Sequence, residues 1–236
     1  FQGGVTGGAA QRFNFNGGTL GGAGTIALLN SQLNVNQPIH TTSTHLTGTT
    51  STIAGPDTLF ADGGTTTFSS CTVTVPVVAT AGTIANENSD WNNAFFLHGG
   101  ATVEWRGANT SNGYLMSAGS ISRVIGTVGV NAQLTFGGSQ ANSGLLELTS
   151  SGAATAATVT TSAAPGQGFF NLPTGEIRSS VGSGGVRQLL TYLDNQETLV
   201  SRSSKHAPQV LAMMRDLDAA ARSAVLEHFR KANVLD

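Results

Sequence analysis

The chain has 236 residues, only 10% of them charged, and a formal net charge of −2. That balance provides no field to gather nucleic acid or an anionic membrane surface. Glycine fills 31 positions and apolar residues make up 39%, so a folded, turn-rich all-β body is expected rather than a disordered polymer.

The single cysteine, Cys71, excludes an intrachain disulfide. It sits between Ser70 and Thr72 in a strand-like run and is expected to be a small buried core residue. No apolar run reaches the roughly 20 residues of a transmembrane helix, so no membrane insertion is expected. Phe1-Gln2-Gly3 matches the tail of a protease site left by an expression tag. Residues 1–3 are therefore read as a tag remnant, and the native segment as beginning near Gly4 within something longer.

Residues 12–36 alternate apolar and polar side chains in three short runs, Phe13-Asn14-Phe15, Thr25-Ile26-Ala27-Leu28 and Leu33-Asn34-Val35. Glycine turns lie between the first two. Alternation at period two is the strand signal, and glycine supplies the positive φ that corners need. The stretch has the length of one coil of a parallel β-solenoid, within the ~20–50 residue periods of repeat architectures. A threonine-rich second block covers residues 37–60 and a third covers 63–86. Residues 86–93 (NENSDWNN) read as a polar loop leaving the coil. Strand and turn signals then resume as far as residue 172. Residues 4–175 are thus read as about seven irregular coils, recognised by strand-and-turn spacing rather than by repeated residue identities.

From residue 176 the composition changes. Most of the lysines and arginines fall there, and few of the glycines. Val186, Leu189, Leu190 and Leu193 follow helical spacing. Pro208 suits the first turn of a second helix with Val210, Leu211, Met214 and Leu217 on one face. Asp218 suits the cap of a third. Residues 176–236 are expected to be a short helical tail, either capping the open end of the sheet or serving self-association.

The run Gly17-Gly18-Thr19-Leu20-Gly21-Gly22-Ala23-Gly24-Thr25-Ile26 resembles a phrase recurrent in the β-helical passenger and stalk segments of large bacterial surface adhesins. The resemblance implies a mainly β protein built as a right-handed parallel β-helix. It further implies an extracellular or cell-surface setting and a rigid scaffold whose partners are a glycan or another protein surface.

Candidate chemistry is sparse. Glu87 and Asp90 lie three apart beside Trp91 in the polar loop, and an aromatic beside acids is one form of sugar site. Glu104 and Arg106 alternate with Trp105, so the charges share one face and the tryptophan takes the other. Glu87, Asp90 and Glu104 are therefore the catalytic candidates of an alternative reading, a polysaccharide-processing β-helix. Trp91 and Trp105 are the candidate ligand-binding rings. Glu147 stands alone in an apolar strand. The histidines show no metal-ligand spacing, and no cofactor fingerprint is present, so neither metal nor cofactor is expected. Thr-x-Thr pairs at Thr42/Thr44, Thr47/Thr49, Thr50/Thr52, Thr65/Thr67, Thr72/Thr74 and Thr158/Thr160 recur at irregular intervals, which argues against a stacked threonine face of the ice-binding kind. Asn109-Thr110-Ser111 is a formal glycosylation acceptor. The reading favoured on balance is a non-enzymatic structural or adhesive segment of a larger protein.

Overall fold

The computed structural model describes residues 11–201, except 19, 21–23, 43–44, 153, 162–167, 181, 183–184 and 196–197. Among the described residues, 22 strands join in one sheet whose named strand pairings are parallel, and the sheet winds into a solenoid of about eight coils.

The pairings fall into three series, which are the three faces of the coil. Face 1 stacks Gln11–Phe15, Ser31–Val35, Thr52–Ala54 and Thr72–Val73, then the first residues of Asp90–Leu97 and Ala108–Met116. It ends with Ala132–Phe136, Ala157–Thr161 and Arg187–Leu190. Face 2 runs from Ile39–His40 through the first residues of Leu59–Ser69 and Val77–Glu87 and the last of Asp90–Leu97 and Ala108–Met116. It continues to Gln140–Asn142, Phe169–Asn171 and Leu193–Asn195. Face 3 runs from Thr25–Leu29 and His45–Thr49 to Ala101–Arg106, Ile121–Gly126, Leu145–Ser150, Glu176–Ser179 and Thr198–Ser201.

Alternation decides which side chains enter the core. In Ser31–Val35 and Ala101–Arg106 every second residue is buried. The early coils are filled by Leu33, Ile39, Leu46 and Ile53, and the middle coils by rings. Phe95 packs on Tyr114 at 5.2 Å between centroids, Tyr114 on Phe136 at 5.6 Å, and Phe136 on Phe169 at 5.6 Å. Trp91 and Trp105 close this column from faces 1 and 3, in contact with Phe95. Such offset ring pairs contribute about 0.5–1.5 kcal/mol each beyond burial.

The corner between faces 3 and 1 is a repeated device. Asn30, Thr50, Ser70 and Asn88 occupy it in successive coils, all at positive φ (47, 48, 53 and 51°), and Gly107 follows at 65°. Glycine is required at Gly107, because a Cβ there would collide with the Asn88 amide. The next residue turns inward and bonds to the coil beside it. The Ser31 N–H donates to Ser51 Oγ (3.2 Å), Cys71 N–H to Ser89 Oγ (3.1 Å), and Ser89 N–H to Asn109 Oδ1 (3.0 Å). Each of these hydroxyls in turn donates to a carbonyl two residues back, as Ser51 Oγ does to Thr49 (2.8 Å). Cys71 keeps this geometry with its thiol donating to the Ser69 carbonyl at 3.4 Å. Polar groups at a buried corner need such partners.

Three expectations are corrected. Residues 86–93 do not leave the coil: Asn88 and Ser89 make the corner just described, and Asp90–Leu97 continues the sheet. The solenoid does not stop near residue 175 but continues to Ser201. The helix expected at Val186 is instead Arg187–Leu190, a strand paired with Ala157–Thr161, followed by Leu193–Asn195. Leu189 points inward and Leu190 outward, 53% exposed, while Thr191 and Tyr192 make the corner. Two short strands across a two-residue corner happen to reproduce helical spacing. The remainder of the expected helical tail, from residue 202, lies outside the described residues.

Candidate functional site

The charged residues collect on face 3. Register places Glu104 beside Arg123, Arg123 beside Glu147, and Glu147 beside Arg178. One column of neighbouring strands therefore alternates in charge over four coils. Ion pairs link it along and across strands: Arg106 to Glu104 at 2.6 Å, Arg123 to Glu147 at 2.8 Å, and Arg178 to Glu176 at 2.8 Å. Opposite charges directly opposed in a sheet stabilise it by roughly 0.2–1 kcal/mol per pair.

Glu147 is the most constrained of these acids. Burial works against its charge, but hydrogen bonds from the Ser180 hydroxyl and from Arg123, with the charges of Arg123 and Arg178, outweigh burial. Its pKa is held below the usual carboxylate range. Glu147 is thus a member of a ladder rather than an isolated charge.

The three acids proposed from sequence do not form one cluster. Glu104 is paired with Arg106. Glu87 is exposed at the end of Val77–Glu87, opposite Arg106 in the next coil. Asp90 lies beyond the corner on face 1, where the Thr110 hydroxyl donates to its carboxylate at 2.7 Å. Two acids therefore share face 3 with an arginine between them, and the third faces another direction.

Neither tryptophan is a surface ring. Trp91 is 1% exposed and Trp105 is fully buried. Trp105 donates its indole N–H to Ser122 Oγ at 3.1 Å. Their place inside the aromatic column removes both from contact with an external ligand. Asn109 is likewise turned inward, with its amide donating to the Arg106 carbonyl at 2.8 Å, so it is no glycan acceptor in the folded chain.

The threonine pairs stack better than their sequence intervals imply. Thr47 and Thr49 lie beside Thr67 and Ser69, and the next coil replaces them with Ala85 and Glu87. On face 1, Thr52 lies beside Thr72, and Thr110, Thr135 and Thr160 form a second run after Asp90. The intervals looked irregular because pairs on two faces interleave in the sequence and because the coil itself varies further along. The step is 20 residues from Thr52 to Thr72, 18 to Asp90 and 25 from Thr110 to Thr135.

The alternating-charge column was missed for the same reason. Its steps of 19, 24 and 31 residues, read from Glu104 to Arg123, Glu147 and Arg178, give no periodic sign in the sequence. In comparisons with known proteins, no family model, no curated protein and no solved structure matches this chain.

Proposed function

We propose that this chain is a non-enzymatic scaffold, a structural or adhesive segment of a larger extracellular or cell-surface protein. The observation that supports this reading is the use made of its charged side chains. Face 3 commits its arginines to neighbouring glutamates in a ladder along the solenoid axis. Groups bonded this way stiffen a wall and are not left free to transfer protons to a substrate. A rigid wall with regular side-chain columns suits a contact surface for a glycan or another protein. Under this reading the resemblance to adhesin stalks describes the manner of use.

The polysaccharide-processing alternative needs Glu87, Asp90 and Glu104 to converge, and Asp90 stands on a different face from the other two. The test is binding to a glycan array with a degradation assay on the same sugars. The scaffold reading expects no turnover, with binding added if the segment is adhesive. Sugar turnover abolished by Glu104→Gln would overturn it.

A further inference from the structure

Face 2 differs from the other two on its outer side. Its strands are in register, so one outward residue per coil stacks into a column. That column begins at His40 and ends at Asp194. Between them stand Phe60, Val78, Phe96, Leu115, Ala141 and Phe170, all apolar. The inward residues beside them, such as Leu59, Val77, Phe95 and Tyr114, already fill the core. The ridge is therefore a second apolar surface, partly exposed along its length, with Leu115 at 45%. Seven steps of about 4.8 Å make the whole column roughly 34 Å long, and the five apolar steps from Phe60 to Phe170 roughly 24 Å. A continuous apolar strip of that length on an outer wall marks a contact surface.

We infer that this ridge is where a second copy of the chain packs, with the two solenoid axes antiparallel. The order of residues carries the inference. A two-fold axis parallel to the strands, level with the gap between Phe96 and Leu115, sets the column against its own reverse. Phe60 then meets Phe170, Val78 meets Ala141, and Phe96 meets Leu115. Large side chains oppose large ones and small oppose small. At the ends, Asp194 meets His40, which within its own chain is already paired with Asp62 at 2.6 Å and stacked on Phe60, so the one basic and the one acidic group of the column still face each other. A parallel arrangement would instead set each residue against itself, His40 on His40 and Asp194 on Asp194. An isologous contact requires such self-complementarity. The whole column, roughly 34 Å long and about 15 Å wide, buries on the order of 1,000 Å² in total, below the roughly 1,200 Å² at which stable specific interfaces begin, so the dimer is weak and reversible.

The test is sedimentation velocity of the full chain over a wide concentration range, with spin-label distances in a Cys71→Ser background. The expected result is a monomer–dimer equilibrium that Phe96→Glu shifts at least tenfold toward monomer without changing the circular dichroism spectrum. Should Phe96→Glu misfold, Leu115→Lys replaces it at a more exposed position. A label at His98, in the coil of Phe96, is expected to give a short distance between copies. A label at Thr42, in the coil of His40, is expected to give a long one. A monomer at every concentration overturns the proposal, whether the ridge is bare or covered by the chain's own C-terminal residues. A dimer indifferent to both substitutions, or two short distances, overturns it equally.

Discussion

Cys71 is a cysteine doing the work of a serine. It occupies the inward corner position that Ser31, Ser51 and Ser89 hold in neighbouring coils, and it makes the same bond to a carbonyl two residues back. Burial raises its thiol pKa, and backbone contacts with Ser51 and Ser69 only partly offset this, so it is a poor nucleophile. Cys71→Ser is therefore expected to change stability by less than about 1 kcal/mol. Cys71→Val keeps the volume but removes the thiol that bonds the Ser69 carbonyl and faces the Ser51 backbone, at a cost of about 1–3 kcal/mol. Urea unfolding of the two variants measures the difference, and equal losses would remove the corner ladder as an explanation. The alternation of Cys71 with Thr72 announced its burial. Its serine equivalents became visible only once the coils were stacked.

Two ladders show how elements are held to one another. On face 2, Asn142 donates to Asn171 Oδ1 at 2.7 Å, and Asn171 donates to Asn195 Oδ1 at 2.8 Å, with Asn142 and Asn171 fully buried. Asn171→Leu leaves the Asn142 donor and the Asn195 acceptor with one partner fewer and is expected to cost about 2–3 kcal/mol, read from the shift in thermal midpoint. On face 3, Glu147 carries the pH dependence. Its folded pKa is depressed, so its stabilisation is fully present above the unfolded value of about 4.3 and is lost as pH falls through the folded value. Glu147→Gln should therefore destabilise at pH 7, and its unfolding curve should converge on that of the parent in acid. A constant gap across pH would show that charge is not the cause. The three asparagines lie 29 and 24 residues apart in sequence. Separations so unequal hide any ladder from a reader of the sequence.

As a whole, the solenoid is a one-dimensional stack in which each coil contacts its neighbours. The aromatic column runs from Phe68 to Phe169, while the coils before it are filled mainly by Leu33, Ile39, Leu46 and Ile53, with Phe15 in the first coil. Opening is expected to begin at the ends and reach the middle last. In hydrogen exchange, the amides of Ala101–Arg106 and Ile121–Gly126 should outlast those of Gln11–Phe15 and Thr198–Ser201. Uniform protection would instead mean that the stack opens as a single unit.

By itself the sequence determined the β-solenoid, because alternation and glycine turns are local signals carried within a coil. It also determined that Glu104 and Arg106 share a face, since two residues in one strand have a fixed relation. Tertiary structure decided what lies beside what. It placed Trp91 in the core, although polar neighbours suggested a surface, because a corner reverses the sense of inside within two residues, whereas the burial of Trp105 opposite Glu104 and Arg106 already followed from alternation. It made Arg187–Leu190 a strand, because the edge of Ala157–Thr161 supplies hydrogen bonds that a helical pattern cannot anticipate. It assembled the charge ladder, the asparagine ladder and the apolar ridge of face 2. Register between coils is set by loop lengths that vary from coil to coil, and only stacking turns distant residues into a column.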